Sequence, residues 1–400
     1  MKQFIPFIIL CTFIISSCSG AKQNSASLPV IDLTAQYPKK DIILQEIADV
    51  EYISLNSKGV PLMGTVQIGY VSDDCFILYD FQNGDVFVLA NNGTIRNHFN
   101  LKGNSGKEYT RISHLTYDPQ KREIYILDPI GPNGILVYTE TGIFVRNYPE
   151  FAKQNLSEIY NFDNQSLLAY FRSNPRASSD DLNQSAPYVF ISKETGEIES
   201  RLPLRFPERL SSIKPIMING QYSAISIAVS PDSRKFGNDF IIADLSSDTL
   251  YTLSSDRQIT AVMYRTPSVY KQKPFFAWSV GLKTDNFICI NTAEYDFESI
   301  EAAAKNDQPM PQMKTEGYLY YFQSHEIVIP RFINTDWTSS NANVGMFRVS
   351  MDEKNMSANI FQADKLLDAL KKGKLTGKLN EVAQTLTSDG NPVLMLVRYK

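Results

Sequence analysis

Phe76-Ile77-Leu78-Tyr79-Asp80 is followed by Gln82-Asn83-Gly84, then by Asp85-Val86-Phe87-Val88-Leu89, then by Asn91-Asn92-Gly93. The two apolar runs are rich in β-branched and aromatic residues, the types that suit a pleated strand, and turn-forming residues bound them. Asn-Gly supplies the positive φ that a two-residue hairpin turn requires. The stretch therefore predicts strand, tight turn, strand, turn. Neither run alternates apolar with polar, so both faces of each strand are expected to be covered.

The pattern recurs along the chain. Ile124-Tyr125-Ile126-Leu127-Asp128 leads through Asn133-Gly134 to Ile135-Leu136-Val137-Tyr138 and then Glu140-Thr141-Gly142. A third copy reads Pro187-Tyr188-Val189-Phe190-Ile191 and Lys193-Glu194-Thr195-Gly196; a fourth reads Phe240-Ile241-Ile242-Ala243-Asp244, Thr249-Leu250-Tyr251-Thr252-Leu253 and Ser254-Ser255-Asp256. One such unit is a small antiparallel sheet that cannot bury its faces alone. Radial repetition lets each sheet cover its neighbour and leaves short edges, which is the logic of a β-propeller. Later copies are less regular. Asp285-Asn286-Phe287-Ile288-Cys289-Ile290 and Gly317-Tyr318-Leu319-Tyr320-Tyr321-Phe322 predict a fifth blade, with a helical insertion at residues 297–305 between them. Val344-Gly345-Met346-Phe347-Arg348-Val349 predicts strand material of a sixth. Residues 364–372 then read as a helix ended by Gly373, and Thr376 as the cap of a second helix with Leu379, Val382 and Leu386 on one face. A last strand, residues 393–399, is expected to close the ring by pairing with Val50-Glu51-Tyr52-Ile53-Ser54-Leu55. The fold expected is all-β: a six-bladed β-propeller with a short helical segment before the closing C-terminal strand, a count of five or seven remaining open.

The N-terminus carries a different signal. Lys2 precedes an apolar run from Phe4 to Ile15, the length of a signal-peptide core and too short to span ~30 Å of hydrocarbon. The run ends Ile15-Ser16-Ser17-Cys18, a lipobox pattern whose cysteine is expected to be acylated. Residues 1–17 are thus read as signal peptide, 18–40 as the lipidated Cys18 with a flexible tether, and 41–400 as the propeller. No second apolar segment approaches eighteen residues. With 43% hydrophobic and 20% charged residues the remainder is globular in composition, and a formal charge of −4 gives no electrostatic footprint for nucleic acid.

These features resemble the six-bladed β-propeller lipoproteins of Bacteroides and relatives, with NHL/TolB-like blades. The likeness runs from Asp49 to Lys400. It is clearest at residues 50–55, in the first two blades, in Leu101-Lys102-Gly103-Asn104-Ser105-Gly106-Lys107-Glu108-Tyr109, and in the tail around Gly373-Lys374-Leu375-Thr376-Gly377 and Asn391-Pro392-Val393-Leu394. Lys107 stands where similar proteins carry another glycine. The resemblance implies fold and envelope location, not a reaction.

Candidate chemistry is sparse. Residues 102–107 lack the G-x-x-x-x-G-K-[ST] spacing of a phosphate loop and are read as a connection between blades. His98, His114 and His325 show no paired spacing for zinc. Asp73-Asp74 and Asp180-Asp181 sit in turn-like surroundings without the D-x-[DN]-x-[DN]-G pattern of a calcium loop. No G-x-S-x-G occurs. Cys75 and Cys289 lie in apolar runs and are read as buried free thiols, with a disulfide as the alternative. Trp278 and Trp337 are candidates to line a glycan or peptide groove, or to fill blade interfaces. No catalytic residue, metal ligand or cofactor is assigned. The expected function is a membrane-tethered module that binds a protein, peptide or glycan in the cell envelope. The alternative is a calcium-dependent hydrolase or lyase with carboxylates on the propeller axis. The first acidic residue after Cys18 is Asp32, and this absence of an acidic run predicts an outer-membrane lipoprotein facing the periplasm.

Overall fold

The computed structural model describes residues 28–400 apart from 56–62, 175–180, 207, 219–220, 228–232, 272, 307, 310 and 339–353. The expected signal peptide, Cys18, the tether as far as Ser27, and the sixth-blade run 344–349 lie outside the described residues.

Among the described residues six sheets follow one another around a ring, and a seventh, the two-stranded Ile213–Ile218 and Gln221–Ser226 hairpin, is not paired to any of them. Blade one comprises Val66–Val71, Cys75–Asp80, Asp85–Ala90 and Ile95–Asn100, each strand antiparallel to the next. Blade two comprises His114–Asp118, Glu123–Asp128, Gly134–Thr139 and Phe144–Tyr148, and blade three Leu156–Asn161, Ser166–Phe171, Tyr188–Ser192 and Ile198–Arg201. Blade four holds Ser233–Phe236, Asp239–Ile242, Thr249–Leu253 and Ile259–Thr266; blade five holds Phe275–Lys283, Phe287–Tyr295, Lys314–Tyr321 and Ile327–Ile333. In blade six, Met356–Phe361, Val393–Tyr399 and Ala48–Ser54 pair in that order. The expected ring closure is therefore present, with the C-terminal strand between a late strand and the early one. First strands of blades one, two and three touch in series, so they line the axis.

Apolar strands make this arrangement possible because successive residues serve successive blade interfaces. Phe76 and Leu78 pack toward blade six, whereas Ile77 and Tyr79 pack toward blade two. Burial on both faces explains why these runs show no alternation in sequence.

The turns differ from the two-residue hairpins expected. Gly93 N–H donates to Ala90 O at 2.9 Å and Ala90 N–H to Thr94 O at 2.8 Å; Gly142 repeats this with Thr139 and Ile143. Each is a longer turn whose last residue is left-handed and followed by a register shift. Glycine is required twice over here. Gly93, Gly142 and Gly196 have φ near +80°, and an added Cβ would meet the outer strand of the preceding blade, at 2.6 Å from Ser54 O in the first case. The same register continues without glycine in blades four and five, where Arg257 (φ +64°) and His325 (φ +58°) occupy the left-handed position. Arg257 is held by its guanidinium, 4.1 Å from the Phe190 ring centre and 2.7 Å from Ser166 Oγ in blade three.

Residues 28–40, placed in the tether by sequence, are part of the fold. Val30–Asp32 pairs parallel with Ile259–Thr266 at the edge of blade four, and Lys39–Ile43 pairs parallel with Ile327–Ile333 at the edge of blade five. The N-terminal segment thus straps blades four, five and six together. A strand that pairs in parallel with residues more than two hundred positions away carries no hairpin signature, and sequence patterning misses it.

The helices expected at residues 297–305 and 364–372 are found as Phe297–Lys305 and Ala363–Lys371, with Gly373 left-handed beyond the second. Thr376 does precede the helix Gly377–Gln384, but its hydroxyl donates to Thr335 O at 2.7 Å and does not cap the helix. No helix among the described residues is long and apolar enough to cross a membrane.

Candidate functional site

Antiparallel strands alternate in direction, so the loops between blades and the turns between second and third strands share one face of the ring. The other two turns of each blade share the opposite face. On the first face, over blades two and three, lies a cleft of about 440 Å³. Arg111 and Ser113 reach it from the connection into blade two, Pro129 and Ile130 from the second turn of blade two, residues 153–157 from the connection into blade three, and Arg172 from the end of a blade-three strand.

Asp128 sets the walls of this cleft. Its buried carboxylate accepts Thr110 N–H at 2.6 Å, the Thr110 hydroxyl at 2.8 Å and Gly131 N–H at 3.0 Å, tying the 110–113 connection to the 129–131 turn. Gly131 has no room for a side chain, because a Cβ there would sit 2.3 Å from Asp128 Oδ2. The third wall is fixed by backbone. Lys153 N–H donates to Pro129 O at 2.9 Å and Arg172 N–H to Asn155 O at 2.8 Å. Lys153 itself is left-handed, at φ +58°. Asp80 and Asp244 hold the equivalent turns of blades one and four through their own carboxylates. Blade three has Phe171 at this place in its apolar frame, and Arg172 follows it.

Three exposed cations therefore converge on the cleft: Arg111, Lys153 and Arg172. Among the described residues none of them pairs with a carboxylate, and the cleft lining contains no Asp, Glu, His or Cys. A concave surface with three exposed positive charges and no carboxylate in its lining attracts an anion, and arginine forks favour carboxylate, phosphate or sulfate oxygens.

The residues singled out from sequence lie elsewhere. His98 meets Asp85 Oδ1 at 2.8 Å and stacks on Phe87, His325 Nδ1 meets the Tyr320 hydroxyl at 2.6 Å, and His114 faces the Tyr160 ring from the inner strand of blade two. They occupy three different blades. Burial holds the His114 imidazole down to about 4, and its Nδ1 has no partner among the described residues. Asp73 pairs with Arg398 at 2.9 Å and Asp181 accepts Asn183 N–H at 2.8 Å at a helix start; Asp180 lies outside the described residues. Cys75 and Cys289 are free and buried in blades one and five. Trp278 is buried, its Nε1–H donating to Ser247 O at 3.1 Å, and Trp337 packs edge-on against Phe361, so neither lines the cleft.

Residues 102–109 form the connection expected. Tyr109 O accepts Gly103 N–H at 2.9 Å, and Glu108 accepts Ser105 N–H at 2.9 Å, which holds its carboxyl below the usual range. Lys107 has no positive φ, so the glycine seen in similar proteins is not demanded there.

On the axis, Glu158 in blade three accepts the Tyr160 hydroxyl at 2.7 Å, and Asp118 in blade two is taken up by Lys193. Lys193 is fully buried; its ammonium lies 2.6 Å from Asp118 Oδ2 and 2.5 Å from both Asn161 Oδ1 and Asp163 O. Burial draws its pKa below the ordinary lysine value. This pair bolts blade three to blade two. Among the described residues no three His, Cys, Asp or Glu side chains gather as a metal set, so the axial calcium geometry finds no support there.

The family model described as a domain of unknown function, DUF4934, matches residues 28–398. No curated protein matches the chain. Among solved structures, a Bacteroides fragilis protein named as exported superposes with a TM-score of 0.62 at 17% identity, covering 93% of this chain and 99% of its own. A member of the DUF4221 family from Bacteroides vulgatus gives 0.46 at 10% identity over 88% of this chain and 97% of its own. Virginiamycin B lyase from Staphylococcus aureus gives 0.33 at 13% identity over 70% and 87%. The first of these likenesses shows a shared fold.

Proposed function

This chain belongs to the DUF4934 family, and we propose that it is a lipid-anchored binding module of the bacterial envelope that takes an anionic ligand into the cleft over blades two and three. The observation that carries the reading is the convergence of Arg111, Lys153 and Arg172 from three separate loops on one concave surface without a neutralising carboxylate. The apolar Ile130, more than half exposed at the same place, adds contact area beside the charges. The ligand class is a carboxylate-, phosphate- or sulfate-bearing molecule, including an acidic peptide or an acidic glycan.

Envelope location rests on the N-terminal apolar run, the Ile15-Ser16-Ser17-Cys18 pattern, and the Bacteroides fragilis protein of the same fold that is named as exported. The lipid would sit at Cys18, and the chain enters the described fold at the edge of blade four through Val30. The tether lacks an acidic run, which favours the periplasmic side of the outer membrane.

Binding of inorganic phosphate, citrate and glucuronate, followed by calorimetry at low and at physiological salt, tests the site. At least one of these anions should bind the parent, more weakly as salt rises, and Arg111→Ala with Arg172→Ala should remove that binding without lowering the thermal midpoint. Failure of all three anions, or equal binding by the double variant, contradicts the assignment. Palmitate labelling of the parent and of Cys18→Ala tests the anchor separately.

A further inference from the structure

The opposite face of the ring carries a second concavity of a different kind, also about 440 Å³, where blades five and six meet the N-terminal strap. Its floor is apolar and aromatic. Ile42 comes from the strap, Phe287 and Tyr321 from blade five, and Tyr399 from the closing strand. Phe287 stands edge-to-face with both tyrosines, 6.1 Å from the Tyr321 ring centre and 5.8 Å from that of Tyr399. The Lys40 ammonium rests 4.8 Å from the Tyr321 ring centre.

The rim is polar and mixed in charge. Glu46 and Gln323 are exposed there, and among the described residues neither side chain has a hydrogen-bond or ion-pair partner. Lys400 lies on the same rim and donates to the Glu46 carbonyl at 3.2 Å. Neither sign dominates, in contrast to the cationic cleft on the other face. An apolar, aromatic floor with a few hydrogen-bonding groups at the mouth is the usual composition of a small-molecule site, and the volume lies in the lower part of that range. Phe287, Tyr399 and Ile42 are nearly covered, and the half-buried Tyr321 is the part of the floor that a ring can reach. The exposed Glu46 carboxylate can accept from, and the Gln323 amide can donate to and accept from, hydroxyl groups around its edge.

We propose that this socket binds an uncharged saccharide ring, its apolar face against Tyr321 and its hydroxyls on Glu46 and Gln323. The site is independent of the anion cleft and uses none of its residues. It also depends on the strap, because Ile42 and Glu46 reach the socket only when residues 39–47 are docked on blades five and six.

Saturation-transfer NMR on the folded chain tests the proposal, with the methyl glycosides of glucose, galactose and mannose and with N-acetylglucosamine as probes. At least one probe should receive transfer, strongest at the ring protons of its apolar face. Gln323→Ala, on an exposed turn, should weaken that probe about five-fold, the loss expected from one hydrogen bond. Ile47 also lines the socket, so Ile47→Trp should fill it and abolish the signal, and Arg172→Ala in the other cleft should leave it unchanged. No transfer from any of the four probes overturns the proposal. So does transfer that survives both Gln323→Ala and Ile47→Trp with native thermal midpoints. Tighter, Ile47→Trp-sensitive binding of N-acetylphenylalanine amide would assign the socket to an aromatic side chain and overturn the saccharide assignment.

Discussion

Gly142→Ala should destabilise the protein by about 2–4 kcal/mol, and the structure supplies both parts of that figure. At φ +80° an alanine sits in the left-handed region, which costs about 1 kcal/mol relative to glycine. The new Cβ would also lie 2.7 Å from Cγ and 2.8 Å from Cβ of Phe99 in blade one. Those atoms lie close to the backbone, so Phe99 cannot swing aside as the tip of a long side chain could, and overpacking of this sort costs about 1–3 kcal/mol more. For a domain of this length the midpoint should fall by roughly 3–5 °C. Gly106→Ala is the matched control: a Cβ there would meet no atom within 4 Å, φ is not positive, and the effect should stay within about 0.5 kcal/mol. Arg257→Gly probes the same register from the other side. Relief of about 1 kcal/mol of strain opposes loss of the Phe190 cation–π contact and the Ser166 hydrogen bond, about 1–2 kcal/mol each, leaving a net loss of about 1–3 kcal/mol. Urea unfolding followed by circular dichroism reads all three, with unchanged m-values marking a native-state effect. If Gly142→Ala unfolds at the same urea concentration as Gly106→Ala, the close-approach argument for the turn glycines is wrong.

Lys193→Met should cost about 3–5 kcal/mol, because it strands the buried Asp118 carboxylate; a double-mutant cycle with Asp118→Asn that proves additive within about 0.5 kcal/mol would show the pair to be uncoupled. The His114 imidazole titrates near 4 in the folded state against 6.5 when exposed, so the unfolded chain takes up the proton first. Its contribution is complete above pH 6.5 and is lost as pH falls from there through 4, by about 3 kcal/mol. Denaturation of His114→Phe across that window should show a shallower slope than the parent, and parallel slopes would remove His114 as the cause. Truncation after Gly390 removes the strand that lies between Met356–Phe361 and Ala48–Ser54, and should abolish the cooperative thermal transition; a truncated chain melting within about 2 °C of the parent would mean that the ring does not depend on this closure.

Part of this architecture was readable because its causes are local. Phe76 to Asp80 and Ile124 to Asp128 are strands by composition, Gly93, Gly142 and Gly196 mark left-handed turns, and the recurrence of the unit implies blades. Blade closure by residues 393–399 followed from the same reasoning, since a ring needs a last strand to meet an early one. The register became invisible once Arg257 and His325 replaced glycine, although both keep the left-handed backbone. Arg257 does so with support from Phe190 and Ser166, contacts that no spacing rule reports.

The candidate sites were not legible. Arg111, Lys153 and Arg172 stand far apart in sequence as ordinary surface cations, and Asp128 reads as the end of a strand until its carboxylate is seen to tie two loops together. The strap is hidden for a related reason: parallel pairing to blades four and five leaves no hairpin turn to find. Strand, turn and repeat are written in the order of the residues, because β-propensity and the positive φ of glycine act within a few positions. Which cations share a cleft, which aromatic rings floor a socket and where the N-terminal segment docks are settled by folding, because those properties depend on distances between residues that the chain keeps far apart until the ring closes.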